Sequence, residues 1–86
     1  MQRIGLAGFG FIGKTHLEAY RKIKDAEVTA ICTSTAVGLE EVFDGTVLAD
    51  YDALLEREDI DVIDICVPTF LHEEYVIKAA RAKKHI

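Results

Sequence analysis

Arg3-Ile4-Gly5-Leu6-Ala7-Gly8-Phe9-Gly10-Phe11-Ile12-Gly13 is the stretch that decides the fold. A short apolar run leads straight into Gly8-x-Gly10-x-x-Gly13, and an amphipathic segment follows. Strand, glycine turn and helix, in that order, are the context a dinucleotide-binding fingerprint requires. Gly8 allows a tight turn off the strand, and Gly10 leaves no side chain where a pyrophosphate approaches the backbone. Gly13 lets the new helix pack closely on the strand. The free N–H groups and positive end of that helix then face the phosphate.

Working outward, strand one covers residues 3–7 and its helix runs from about Phe11 to Lys22, with Ile12, Ala19, Tyr20 and Ile23 as sheet-facing positions. Glu27–Thr33 is β-branched and apolar and reads as strand two. A strand flanked by helices in this way is a βαβ unit, with parallel strands buried on both faces. A two-turn helix is expected from Ala36 to Phe43, then a short strand three at Thr46–Ala49. Asp50 or Asp52 can cap the helix through Leu54, Leu55 and Arg57. Asp61–Val67 is strand four. Pro68 ends it, Thr69 is the expected N-cap, and Glu73 and Glu74 fall in the expected first turn of the last helix. Leu71, Tyr75, Val76, Ala79 and Ala80 recur there at helical spacing as a buried stripe. His85-Ile86 reads as the start of strand five.

The alternation predicts an α/β fold, a Rossmann-like doubly wound parallel sheet in the order 3-2-1-4-5, truncated near the start of strand five. Strand one then separates Cys32 from Cys66 by about 9–10 Å, beyond the roughly 7 Å limit for a disulfide. Two cysteines without CxxC spacing support neither a zinc site nor a disulfide scaffold. Both read as small buried hydrophobes.

The 86 residues carry a net charge of −5 and no basic block, which argues against a nucleic-acid partner. No apolar stretch reaches about 18 residues, so no transmembrane span is expected. The glycines at 5, 8, 10 and 13 and the lack of a cleavage motif argue against a signal peptide, and the expected location is cytoplasmic.

A ligand of such a sheet sits beyond the carboxyl ends of the strands, where strands one and four diverge. The glycine loop, Thr33–Thr35 and Val67–His72 all reach that edge. Thr33 lies about 20 residues beyond Gly13, where a ribose-selecting acid usually stands. Thr33, Ser34 and Thr35 instead offer hydroxyl and backbone donors, a slight lean toward NADP over NAD. No Arg or Lys follows in the loop to pair a 2′-phosphate. Turn and N-cap roles explain the same three residues equally well.

Further marks run along nearly the whole chain in order: Ile4-Gly5-x-x-Gly8-x-Gly10-x-x-Gly13-x-x-His16, Asp50-Tyr51-Asp52-x-Leu54-Leu55 and Asp59-Ile60-Asp61-Val62. Val67-Pro68-Thr69-x-x-His72 and Ala79-Ala80-x-Ala82-x-Lys84-His85-Ile86 complete them. By these marks the chain resembles the N-terminal part of the Gfo/Idh/MocA family, the glucose–fructose oxidoreductase and inositol dehydrogenase relatives. The resemblance implies an NAD(P)-dependent oxidoreductase passing hydride between the nicotinamide and a sugar, cyclitol or related polyol. Gly8, Gly10, Phe11, Ile12 and Gly13 would hold the pyrophosphate, and Thr33, Ser34 and Thr35 the adenosine ribose. Val67, Pro68, Thr69, Leu71 and His72 would border the nicotinamide ribose. His16 matches a histidine of the family's first helix and is read as packing.

Two departures stand out. The stretch between strands two and three is shorter than is usual in the family. The family's Glu-Lys-Pro motif and substrate domain would follow Ile86, so residues 1–86 are expected to be an incomplete N-terminal NAD(P)-binding domain. No residue is assigned as catalytic acid or base, and Lys14 reads as a solvated helix-face side chain. The chain alone is expected to be inactive, to meet a polyol only within a longer parent, and to self-associate through the open edge of strand four. A dinucleotide-sensing module without catalysis is the competing reading, since fold alone does not fix function.

Overall fold

The computed structural model describes residues 2–33, 39 and 43–86. In chain order the elements are β1 (Gln2–Ala7), α1 (Phe11–Tyr20), β2 (Ala26–Cys32), β3 (Thr46–Leu48), α2 (Tyr51–Leu55), β4 (Val62–Ile65) and α3 (Thr69–Arg81). The four strands form one parallel sheet in the order β3-β2-β1-β4. His85 adds a single parallel bridge to Val62 on the outer side of β4, where the first residue of a fifth strand was expected. The helix expected over 36–43 lies mostly outside the described residues; at its end Phe43 N–H donates to Leu39 C=O at 2.9 Å, and both side chains are buried.

Alternate strand residues supply two cores, one on each face, as a doubly wound sheet requires. Leu6 and Ile31 face α1 and pack with Leu17, Leu39 and Phe43. Ala7, Ala30, Cys32 and Ile63 face the other way, with Tyr51, Leu54 and Ala79. Cys32 and Cys66 are free and pack on opposite faces of the sheet, on either side of Ala7. Separation by a strand and by the sheet itself keeps the two thiols apart.

Several local expectations shift. The inward positions of α1 are Gly13, His16, Leu17 and Tyr20, an i, i+3, i+4, i+7 stripe, whereas Ala19 and Ile23 are exposed. On α3, Ala79 is buried and Leu71 and Tyr75 half-buried, but Val76 and Ala80 are exposed. Val76 lies one position off the stripe and turns toward the open side of β4. Pro68, not Thr69, is the N-cap of α3, with no side-chain cap bond, because the Pro68 carbonyl accepts the first turn's bond from Leu71 N–H at 2.9 Å. Glu73 and Glu74 therefore fall in the second turn. Asp50 caps α2 by accepting from Asp52 N–H at 3.1 Å. The last turn of α3 closes through Lys84 N–H to Ala79 C=O and Lys83 N–H to Ala80 C=O, with Lys83 at φ 62°. These bonds define a Schellman motif whose left-handed residue is usually glycine.

Candidate functional site

The glycine turn connects β1 to α1 at the carboxyl edge of the sheet. Gly8 has φ +98°, a conformation L side chains rarely adopt, and a methyl group there would stand 2.8 Å from the Cys66 carbonyl oxygen. Its N–H donates to Cys32 C=O at 2.7 Å. Gly8 thus ties the turn to the ends of β2 and β4 together. Gly13 is closed for a different reason, since a methyl there would meet the Gly8 carbonyl oxygen at 2.7 Å. Gly10 is unlike both. Its backbone is extended, and a methyl group on it would meet nothing within 4 Å. Packing among the described residues gives no reason for glycine at position 10.

Gly10 is also the N-cap of α1, with no side-chain cap bond and no acid in the first turn. The first N–H groups of a helix have no partner within it, so the backbone donors that follow Gly10 form a positive end beside an open approach. Cys66–Val67 borders the turn on the β4 side: Val67 Cγ1 lies 3.1 Å from the position of a Gly8 methyl. The His72 ring donates through Nε2 to the Val67 carbonyl at 2.9 Å, which closes the Val67–His72 turn. Pro68 and Thr69 are exposed and Leu71 is half-buried. On the β2 side, Thr33 N–H donates to Leu48 C=O at 2.9 Å, placing Thr33 at the strand's carboxyl end. Ser34, Thr35 and the side chains of Phe11 and Ile12 lie outside what is described. Of the three segments read as converging, the glycine turn, Thr33 and Val67 meet at one edge.

On the α1 face of the sheet lies a polar cluster that one-residue reading misses. His16 Nδ1 is 2.6 Å from Asp64 Oδ2, and Tyr20 O–H donates to the same oxygen at 2.9 Å. Cys66 Sγ lies 3.4 Å from His16 Nδ1 and 3.6 Å from Asp64 Oδ1. Burial first, and the nearby Asp64 charge second, push the Cys66 thiol up to about 12. Burial and the hydrogen bond to Asp64 likewise raise the Tyr20 phenol. His16 is therefore a hydrogen-bonding residue and not simple packing, and Cys66 has polar neighbours. The available signal was Asp64 itself, a carboxylate inside the apolar run Val62-Ile63-Asp64-Ile65, which needs partners when half-buried.

Beyond the outer edge of β4 lies a groove of about 620 Å³, bounded by His16 and Asp64 at one side and by Ile23, Ile65, Val76 and Ile86 elsewhere. Among the described residues no helix is long and apolar enough to cross a membrane.

The model of the oxidoreductase family with an NAD-binding Rossmann fold, GFO_IDH_MocA, matches residues 2–86. Myo-inositol 2-dehydrogenase from Thermotoga maritima is 38% identical over 88 residues, covering 98% of this chain and 26% of the relative. The crystal structure of scyllo-inositol dehydrogenase from Lactobacillus casei, with bound NAD(H) and scyllo-inositol, superposes with a TM-score of 0.90 at 28% identity. That match covers 99% of this chain and 26% of the other. A 3-ketoreductase from Actinomadura kijaniata, in complex with TDP-benzene and NADP, gives 0.89 at 36% identity, covering 98% and 28%. The chain spans about a quarter of the length of the relatives it matches.

Proposed function

We infer the function from what the chain is: it belongs to the Gfo/Idh/MocA oxidoreductase family, whose NAD-binding Rossmann model covers residues 2–86. On that premise the chain is the nicotinamide-dinucleotide-binding portion of an oxidoreductase. Its reaction is hydride transfer between NAD(P) and a sugar, cyclitol or related polyol, a reading supported by the inositol dehydrogenases and the 3-ketoreductase among its relatives. The observation that carries the reading is the contrast among the glycines. Gly8 and Gly13 are closed by this chain's own carbonyls, and Gly10 faces open space at a helix N-terminus. A glycine where an added side-chain carbon would meet none of the described residues fits an incoming pyrophosphate.

In this reading Gly8, Gly10 and Gly13, with the N–H groups of Phe11 and Ile12, cradle the pyrophosphate. Thr33, Ser34 and Thr35 meet the adenosine ribose. Val67, Pro68, Thr69, Leu71 and His72 border the nicotinamide ribose, and the His72–Val67 bond sets the shape of that wall. When bound, the nicotinamide supplies the hydride acceptor or donor. The chain's own residues bind and orient it, none is assigned as acid or base, and the 86 residues alone are expected to bind without turning over a polyol. The missing acid at Thr33 leans the choice slightly toward NADP over NAD. Self-association through the outer edge of β4 and a cytoplasmic location belong to the same proposal, which supposes no nucleic-acid or membrane partner. Calorimetric titration of the chain with NADP and with NAD tests it: tighter NADP supports the preference, and heat from neither refutes the binding role.

A further inference from the structure

We propose that His16, Asp64 and Cys66 form a binding site for a zinc-like divalent cation on the α1 face of the sheet. The three side chains come from α1, from β4 and from the residue after β4, and each offers one ligand atom to the cluster. His16 Nδ1, Cys66 Sγ and an Asp64 oxygen all lie within 4.8 Å of one another. The sulfur stands 3.4 Å from the ring nitrogen and 3.6 Å from Asp64 Oδ1. Zinc bonds to such atoms are about 2.0–2.3 Å long, so tetrahedral ligands stand roughly 3.3–3.7 Å apart. Both sulfur distances already fall in that range. The 2.6 Å between His16 Nδ1 and Asp64 Oδ2, the other oxygen of that carboxylate, is a hydrogen-bond distance, and this hydrogen bond is given up when a cation takes Nδ1.

The hydrogen-bond arrangement is one that a cation improves. His16 Nδ1 is a single atom facing two neighbours, so with a hydrogen on it only one of the two contacts is a good bond. Cys66 is left with a 3.6 Å contact to Asp64. A cation at the centre satisfies all three donors at once. One nitrogen, one oxygen and one sulfur together select a borderline cation, not magnesium or calcium, which take oxygen ligands. Tyr20 O–H holds Asp64 Oδ2 from outside the cluster, the kind of outer contact that orients a ligating carboxylate. His16 and Asp64 also border the groove beside β4, which gives an approach for the ion and room for a fourth ligand such as water. On binding, the Cys66 thiol releases its proton to solvent and the thiolate bonds the metal. With the ring hydrogen on Nδ1, His16 moves it to Nε2.

The test is a Co²⁺ titration of the 86-residue chain in a phosphine reductant, read by near-ultraviolet thiolate-to-cobalt charge transfer and visible ligand-field absorption. Excess Zn²⁺ is then added as competitor. A single equivalent with a thiolate band, displaced by Zn²⁺, is expected. Cys66→Ser abolishes the band, and His16→Gln weakens Co²⁺ binding at least about tenfold. Cys32→Ser, on the opposite face of the sheet, leaves both unchanged. Far-ultraviolet circular dichroism checks each fold, and His16→Gln, at a half-exposed position, serves if Cys66→Ser does not fold. No thiolate band in the wild type, or an unchanged affinity in His16→Gln, overturns the site. So does a band that survives in folded Cys66→Ser.

Discussion

Gly8 lies with its α-carbon against the carbonyl of Cys66, so that a methyl group added to it would stand 2.8 Å from the oxygen. The contact joins the glycine turn to the end of β4 and fixes the edge on which the proposed cofactor rests.

Gly8→Ala and Gly10→Ala are therefore expected to differ sharply in stability. The first places a side chain at φ +98° and against a backbone carbonyl, a strain of about 1–3 kcal/mol or more. The second meets nothing within 4 Å on an extended backbone and changes stability by under about 0.5 kcal/mol. Urea midpoints of the two variants check this. Equal losses would mean that the turn is not built as described.

Lys83→Gly is expected to stabilise the chain. Lys83 takes the left-handed position of the α3 Schellman motif at φ 62°, which costs a non-glycine residue about 1–2 kcal/mol. Glycine returns about 0.5–1 kcal/mol of that as unfolded-state entropy, leaving a net gain of about 0.5–1 kcal/mol. A rise in the urea midpoint at unchanged slope is the expected result.

Acid should weaken the pairing of β1 with β4. Arg3 Nε donates to Asp61 Oδ2 and Arg3 NH2 to Oδ1, both at 3.1 Å, and Arg3 N–H donates to Oδ2 at 3.0 Å. The Arg3 side chain first, then its backbone N–H, holds the Asp61 carboxyl down at about 2. Its ordinary unfolded value is about 3.9. A depressed carboxylate contributes stability that is complete above the unfolded value and lost as pH falls toward the folded one. Stability should therefore drop between about pH 5 and 2. In Asp61→Asn that part of the slope should be absent from a pH series of denaturation curves.

Self-association is expected at high concentration. Among the described residues only His85 pairs with the outer side of β4, and Val76, Ile77 and Ile86 are exposed near this side of the sheet or on α3. An open strand edge beside apolar surface is a template for another chain. Sedimentation velocity should show species larger than a monomer, and a monodisperse monomer would contradict it.

Much of this was legible from the sequence because strand–glycine–helix alternation and apolar runs are one-dimensional signals. Asp61–Val67 marks β4, although the ladder covers only Val62–Ile65 because its partner β1 ends where Gly8 turns away. The strand order and the meeting of Gly8, Thr33 and Val67 at one edge follow from the topology. Helix phase was less legible: Ile23 and Val76 look like core positions by composition, yet each falls beside the groove at β4. The His16–Asp64–Cys66 cluster was not legible residue by residue, since positions 48 apart become neighbours only once α1 lies across the sheet. Asp64 in an apolar strand was the one trace of it.

The most direct test of the central claim is calorimetry of NADP and NAD with the wild-type chain and with Gly10→Val. A side-chain carbon added at position 10 meets none of the described residues within 4 Å, so the variant should keep the wild-type circular dichroism and urea midpoint. The account expects the wild type to bind a nicotinamide dinucleotide and Gly10→Val to bind it at least about tenfold more weakly, a difference of about 1.4 kcal/mol. Binding by a folded Gly10→Val equal to that of the wild type, or no binding of either dinucleotide to the wild type, would contradict it.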